Sequence, residues 1–228
     1  MAEHAIGCWV ERGVVRPEVV DRLGQTCPVV PKAGIREPFA TWSDANLLLQ
    51  PARSIASEVF ETSARLTRAI LFDKLPGRNW HLEVHQDLTI GVADRIEAAG
   101  FGPWSRKHGV WHCEAPADLL SRMLTVRVHL DDADEENGCL LVAPMPAGRT
   151  FAKLSPEELR ACAERVVPVP AEAGEAVVMN PLVPHASGRN TTDRHRRVLH
   201  MEFAAGDPGG GLRWRDEAEI LGQSSSMS

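Results

Sequence analysis

The segment HLEVHQDLTIGV, residues 81–92, places an imidazole and a carboxylate two positions apart, at His85 and Asp87. Leu82, Val84, Leu88, Ile90 and Val92 take the even positions, and His81, Glu83, His85, Asp87 and Thr89 the odd ones. Such alternation marks a strand with two unlike faces. Side chains two apart on a strand project the same way, so His85 and Asp87 can offer a nitrogen and an oxygen donor to one point, as a metal-chelating pair does. An isolated HxD is equally what an ordinary solvent-facing strand looks like, so the pair needs partners elsewhere. A helical zinc site on His81 and His85 is disfavoured, because Glu83 stands at neither place that HExxH or HxxEH requires and the period here is two.

The partners lie far downstream, in NPLVPHASGRNTTDRHRRVLHMEF, residues 180–203. His185 follows a proline and precedes a loop. Arg196 opens a second alternating strand, in which Leu199, Met201 and Phe203 face one way while Arg196, Val198, His200 and Glu202 face the other. Taken singly, His185 is a structural histidine and Arg196 a solvated charge; their joint occurrence with HxD gives them weight. Met123 to Asp131 alternates as well, with Thr125, Arg127, His129 and Asp131 on one side. If that side faces an interior, Arg127 needs an anionic partner, either a protein carboxylate or one carried by a substrate or cosubstrate.

Period-two runs over Arg65–Phe72, Trp80–Val92, Met123–Asp131, Glu175–Met179 and Arg196–Ala204 predict strands. Residues 1–65 form a mainly helical flank, with the clearest helical period over Asp44–Glu61, and residues 66–205 form the strand-rich core of a single domain. Ser155, Pro156 and Glu158 announce one further helix by N-cap, first-position proline and capping-box partner. Residues 222–228, GQSSSMS, have the composition of a disordered tail. A helical flank followed by short alternating strands implies a mainly β sandwich or barrel with helices outside.

Composition narrows the partners. A chain of 228 residues with net charge -6 carries no basic footprint for nucleic acid or an anionic membrane. It has no apolar run of signal-peptide or membrane-spanning length, so a cytoplasmic location is expected. Five scattered cysteines, none spaced as CxxC, predict free thiols rather than a disulfide framework or thiolate zinc site. The absence of tyrosine rules out a phenolic acid or base.

With these residues in hand, the sequence resembles the phytanoyl-CoA dioxygenase family. HQD at 85–87, HAS at 185–187 and Arg196, eleven residues beyond the distal histidine, follow that family's pattern in order, and the run Leu124–Pro144 with its ENG turn resembles the segment between its metal-binding strands. The resemblance covers roughly Arg68 to Ala204. It implies a double-stranded β-helix, the cupin-like jelly-roll barrel, and a non-haem iron(II) centre held by His85, Asp87 and His185. Two imidazoles and a carboxylate leave iron(II) with open positions, unlike a closed structural zinc site. It implies further that 2-oxoglutarate and O2 fill those positions, with Arg196 and Ser187 holding the distal carboxylate of 2-oxoglutarate. Arginine suits that task because its planar fork stays charged and can make two parallel bonds. Oxidation of a small-molecule metabolite, with hydroxylation as the expected outcome and succinate as the coproduct, follows. Halogenation is disfavoured, since halogenating relatives have a small residue where Asp87 stands.

On the substrate side, Arg127 and His129 are candidates from the interior strand, and Trp104 and Trp111 from the loop-like stretch FGPWSRKHGVWHCEAP. The chain departs from the family after the ENG turn, reading Pro144-Met-Pro-Ala-Gly-Arg149 where a PGSHR-like segment is usual. Acyl-CoA specificity is therefore not carried over. The competing reading is a cupin-like protein that binds metal or a small ligand without turnover.

Overall fold

A computed structural model of the chain describes residues 7–31, 34–144 and 151–223. The N-terminal part carries β1 (Cys8–Glu11), α1 (Pro17–Thr26), β2 (Ile35–Arg36), α2 (Pro38–Thr41) and α3 (Asn46–Phe60). The middle follows with β3 (Arg65–Lys74), β4 (Leu82–His85), β5 (Thr89–Val92), β6 (Trp104–Lys107), β7 (Val110–Glu114), α4 (Ala117–Ser121), β8 (Met123–His129) and β9 (Leu140–Val142). The chain then closes with α5 (Pro156–Ala163), β10 (Val167–Val169), β11 (Ala176–Met179), β12 (His185–Ser187), β13 (Arg196–Ala204) and α6 (Glu217–Ile220).

The strands form a double-stranded β-helix. Its larger sheet has the order β1-β11-β8-β13-β3-β2 and is antiparallel throughout; opposite it lies the sheet β10-β9-β12-β4, and β5-β7-β6 forms a third, smaller sheet. Alternation decides what each face of the larger sheet does. Val126 and Val128 of β8 and Leu199, Met201 and Phe203 of β13 turn outward and pack under the helices, where α3 offers Leu48, Leu49, Ala52 and Ala56 at helical spacing. Fully burying each such aliphatic side chain contributes about 1.5–3 kcal/mol. The inward positions, among them Ile70 and Phe72 of β3, Arg127 of β8, and Arg196 and His200 of β13, line a cavity. A bulge in β3 opposite Glu202 and Phe203 shifts the phase, so that Leu66 and Ala69 both reach the helix-side core although three positions separate them.

Several sequence expectations need correcting. The first 65 residues are not purely helix and loop: β1 and β2 form the two edges of the larger sheet, and strands of four and two residues are too short to show a period. The run Trp80–Val92 is two strands in different sheets, β4 and β5, because the chain turns at Gln86–Leu88, where the Asp87 backbone N–H donates to the Pro181 carbonyl at 2.9 Å. Strands β6, β7, β9, β10 and β12 were not expected individually, all being three to five residues long. The helix at Pro156 forms with both halves of its capping box, Ser155 Oγ accepting from the Glu158 N–H and the Glu158 carboxylate accepting from the Ser155 N–H. All five cysteines are free. No described helix is long and apolar enough to cross a membrane. The altered segment after the ENG turn, from Met145 to Arg149, and the tail residues Ser224–Ser228 lie outside the described residues.

Candidate active site

Strand pairing brings the distant histidines together. In the register of β12 on β4, His185 lies directly opposite His85, with ring centroids 4.3 Å apart. The Asp87 carboxylate reaches between them, 4.0 Å from His85 Nε2 and 3.6 Å from His185 Nε2. One donor atom from each of the three lies within 4.8 Å of the other two.

The imidazoles are prepared in the same way. His85 Nδ1 meets the Glu83 carbonyl at 2.7 Å, and His185 Nδ1 meets the Val183 carbonyl at 2.9 Å. A carbonyl only accepts, so each Nδ1 carries the hydrogen and each Nε2 keeps its lone pair for a metal. Burial pushes the His185 imidazole down to about 4, with Asp87 pulling the other way, so this ring is neutral and available as a ligand at physiological pH. Burial raises the Asp87 carboxyl, but His185, His200, Arg68 and His85 outweigh it and hold the group well below the usual carboxylate range. An anionic oxygen and two imidazole nitrogens converging on one point suit a divalent first-row ion.

Two residues that sequence reasoning missed hold this arrangement. Gln86 projects away from the metal donors; its amide donates to the Leu182 carbonyl at 2.6 Å and the Ala152 carbonyl at 2.9 Å, and accepts from the Leu154 N–H at 2.8 Å. Asn180 donates to the carbonyls of Leu120, Ser121 and Met123 and accepts from the Leu182 N–H at 2.9 Å. Both amides fix the turn that delivers His185. Their partners are backbone groups distant in sequence, which no spacing rule reveals. The ENG turn adds a close approach: Gly138 has φ +79°, and a Cβ there would stand 2.6 Å from the Gly188 carbonyl oxygen, so only glycine lets β12 pass.

Next to the three donors is a cavity of about 210 Å³ whose inner wall carries Arg127, Ser187 and Arg196, with Phe72, Trp80, Leu82 and Leu140 as apolar sides. Arg196 is 2% exposed, and its Nε and Nη1 have no hydrogen-bond partner among the described residues. Burial, followed by the neighbouring Arg127, pushes its guanidinium down to about 9. Arg127 donates to His200 Nδ1 at 2.9 Å, and its Nε is also without a partner. His200 in turn meets Glu202, which Arg68 holds. Thus the partner sought for Arg127 is, among the described residues, no carboxylate but a histidine.

A third cation joins them. Lys74, with 0% exposure, donates to Ser187 Oγ and to the Gly188 carbonyl and stacks over the Trp80 ring at 5.1 Å. Burial, then Arg196 and Arg127, push its ammonium down to about 7. The expected strand stopped at Phe72; extending its alternation by two residues would have placed Lys74 beside Arg196. Buried donors left unpaired cost free energy unless an anion completes them, and a dicarboxylate such as 2-oxoglutarate fits this wall.

The other candidates fall elsewhere. His129 is buried with both ring nitrogens unpartnered, but it does not line the cavity. Trp104 and Trp111 do not line it either. They pack edge-to-face at 6.5 Å in a separate apolar cluster, with Arg95 5.9 Å from each ring. Alternation on β7 explains this: Trp111 points to one side, whereas Val110 and His112 point to the other and line a second cavity. His81 and Glu83 are exposed and take no part in the donor cluster.

The profile of the family described as Phytanoyl-CoA dioxygenase (PhyH) matches residues 7–198. The chain belongs to the phytanoyl-CoA dioxygenase family. Iron(II) and 2-oxoglutarate are the cofactors of phytanoyl-CoA dioxygenase-type proteins, and the donor cluster and cationic wall fit both. Methylphosphonate hydroxylase of Gimesia maris is 30% identical over 102 residues, 41% of this chain and 38% of that protein, so the match spans well under half of the curated relative. Among solved structures, HygX from Streptomyces hygroscopicus with nickel and 2-oxoglutarate bound has TM-score 0.61 at 16% identity, covering 94% of this chain and 87% of that one. SnoK, a non-haem α-ketoglutarate-dependent carbocyclase from nogalamycin biosynthesis, has TM-score 0.62 at 17% identity, covering 97% and 88%. At these identities the two structures support the phytanoyl-CoA dioxygenase fold of the chain and nothing finer.

Proposed function

We propose that the chain is an iron(II)- and 2-oxoglutarate-dependent dioxygenase that hydroxylates a small-molecule metabolite. His85, Asp87 and His185 would hold the metal, and Arg196, Ser187 and Lys74 the distal carboxylate of 2-oxoglutarate. The observation that carries this reading is the pair of unpartnered donors on buried Arg196, in the same cavity as three convergent metal donors. A protein that only stored metal would have no use for a buried cation held open at that cost.

With the group bound, iron(II) supplies oxygen activation coupled to decarboxylation of 2-oxoglutarate to succinate, and with it oxidation of an unactivated C–H bond. The chain's own residues do the positioning. The Glu83 and Val183 carbonyls keep both Nε2 atoms aimed inward, and Arg196 fixes the far end of the cosubstrate by two parallel bonds. The Ser187 hydroxyl, 3.4 Å from the Gly138 carbonyl, would be free to turn from that weak contact to a carboxylate oxygen. Phe72, Trp80 and Leu140 give the cavity an apolar side, which would limit water at the reacting face. Asp87 stands where a halide would otherwise bind, which favours oxygen transfer. The hydroxylase named above supports hydroxylation over ring closure, because it is the relative with sequence identity of 30%.

Purified protein given iron(II), 2-oxoglutarate and oxygen should form succinate slowly without a primary substrate. His85→Ala should reduce this to the level without protein. Equal succinate from both would refute the proposal and favour binding without turnover.

Lys74 gives the site a pH dependence. Its folded value of about 7 lies below the ordinary 10.5, so between those limits the folded chain binds fewer protons than the unfolded one and stability rises with pH. Below pH 7 both states are charged and the penalty is complete. A carboxylate beside the ammonium favours the charged form, so 2-oxoglutarate binding should take up a proton above pH 7, and affinity should fall as pH rises from 7 toward 9. Calorimetry in buffers of different ionisation enthalpy reads this directly. Lys74→Met should flatten the profile, and an unchanged profile would exclude Lys74 from the site.

A further inference from the structure

Beyond the metal cavity lies a larger one of about 370 Å³, within the range of small-molecule sites. The two share Arg36, Arg68 and Ile70. The outer chamber is bounded by β2, β3, β5 and the β6–β7 hairpin, and its charge is one-sided. Arg36, Arg68, Lys107 and Arg215 line it, with Glu37 as the only acidic residue of the lining. Glu37 is already paired with Arg215, and Arg68 is committed to Glu202. Arg36, which is exposed, makes no ion pair among the described residues. It stands at the junction of the two cavities, where partial burial and then the guanidinium of Arg68 push it below the ordinary arginine value, with the Glu202 carboxylate pulling the other way.

Two further features fit a bound molecule. On β7, the His112 Nδ1–H donates to the Val110 carbonyl at 3.1 Å, which leaves Nε2 as an acceptor. Opposite it in register is Gly91 of β5, where a Cβ would meet Val110, His112 Nε2 and Arg215 at 3.7–3.9 Å. These are ordinary contacts, so nothing in the backbone demands glycine there, and its absent side chain leaves the chamber open between β5 and β7.

We infer that the outer chamber is the primary-substrate site and that it takes an anionic organic molecule, a phosphonate, phosphate ester or carboxylate. The anionic group sits on Arg36 at the junction, where it also meets the field of Arg68, and the body of the molecule occupies the space between Gly91 and His112. A hydroxyl or amide N–H on that body donates to His112 Nε2. This rests on the oxygenase reading for the reaction that follows binding, but the binding itself is independent of turnover. An anion there offsets the repulsion that Arg36 feels from Arg68, adding to the compensation that Glu202 supplies, whereas a cation would have to displace Arg215 from Glu37. Loss of one charge-assisted contact is worth about 1.5–3 kcal/mol, or roughly 10- to 150-fold in affinity.

The test uses the full chain loaded anaerobically with iron(II) and saturating 2-oxoglutarate, so that the cosubstrate wall is already filled. Binding of phenylphosphonate, benzamide and benzylamine is followed by ligand-observed NMR. Phenylphosphonate should bind saturably while the neutral and cationic probes do not, and Arg36→Gln should weaken it at least 10-fold. Gly91→Leu, which fills the chamber without touching a metal donor, should abolish binding. Both variants should keep the melting temperature and iron content of the parent, which shows that a loss of binding is not a loss of fold. Saturable binding of all three probes alike, no binding of phenylphosphonate, or unchanged binding in Arg36→Gln overturns the inference. Failure of the oxygenase reading shows separately, as absence of succinate from the parent protein.

Discussion

Replacing Asp87 by alanine is expected to strip the protein of iron and reduce 2-oxoglutarate-dependent succinate formation to background. The carboxylate supplies the only negative charge in the donor cluster, between His85 Nε2 at 4.0 Å and His185 Nε2 at 3.6 Å. Those imidazoles and the nearby Arg68 and His200 hold it ionised, so it needs no deprotonation before it can bind a metal. Without it, the two imidazoles share the cavity with Arg68, Arg127 and Arg196, an environment that repels a divalent cation. Loss of a residue that merely orients a ligand costs 10–100-fold in metal affinity; loss of the ligand itself should exceed about 100-fold. The fold should survive, because the backbone N–H of residue 87 still donates to the Pro181 carbonyl. Iron content after gel filtration, with a circular dichroism melt as control, checks both halves. Undiminished iron in a folded Asp87→Ala protein would exclude this residue as a ligand.

The second large effect concerns Arg196 and has an unusual sign. In the wild-type protein, 2-oxoglutarate at about 100 times its dissociation constant should add about 2.7 kcal/mol of stability, which for a chain of this length is a rise of roughly 5–10 °C in melting temperature. Arg196→Met removes the fork that receives the distal carboxylate. The expected loss of affinity is about 2–5 kcal/mol, roughly 30- to several thousand-fold, and the ligand-induced shift should disappear. The ligand-free variant should nevertheless melt at or above the wild type, because a fully buried cation with unpartnered Nε and Nη1 has been replaced by an apolar chain of similar length. A destabilised apo variant that still responds to 2-oxoglutarate would mean that Arg196 is structural. Arg196→Lys is informative as well: it keeps the charge but loses the two parallel bonds, so only part of the affinity should return.

The convergence of two candidate donors, His85 and Asp87, was legible in the sequence because it is local to one stretch of chain. His85 and Asp87 share a face by period two, and the alternation of β13 put Arg196 and His200 on the side opposite Leu199, Met201 and Phe203 before any tertiary information was available. Position 185 was a different matter. Its β12 is only three residues long and has no readable period, so the family pattern supplied what periodicity could not, and the pairing of His185 with His85 is a property of the sheet. Lys74 lay within reach, two residues beyond the strand end that alternation suggested. Gln86 and Asn180 were not, since each acts through backbone carbonyls brought near by folding. Trp104 and Trp111 show the converse. Their place in a loop-like stretch made them substrate candidates, but the pleat of β7 turns the indole of Trp111 away from the chamber and gives that place to His112. Arg36, on a two-residue strand, offered no sequence signal at all.

The most direct test of the central claim is an anaerobic titration of the iron(II)-loaded protein with 2-oxoglutarate, followed by visible absorption, for the wild type and His185→Ala. Chelation of 2-oxoglutarate to iron with vacant positions gives a metal-to-ligand charge-transfer band, which should appear saturably in the wild type and be absent from the variant. A wild-type protein that retains iron and develops no such band, or a His185→Ala protein that develops the same one, would contradict the account.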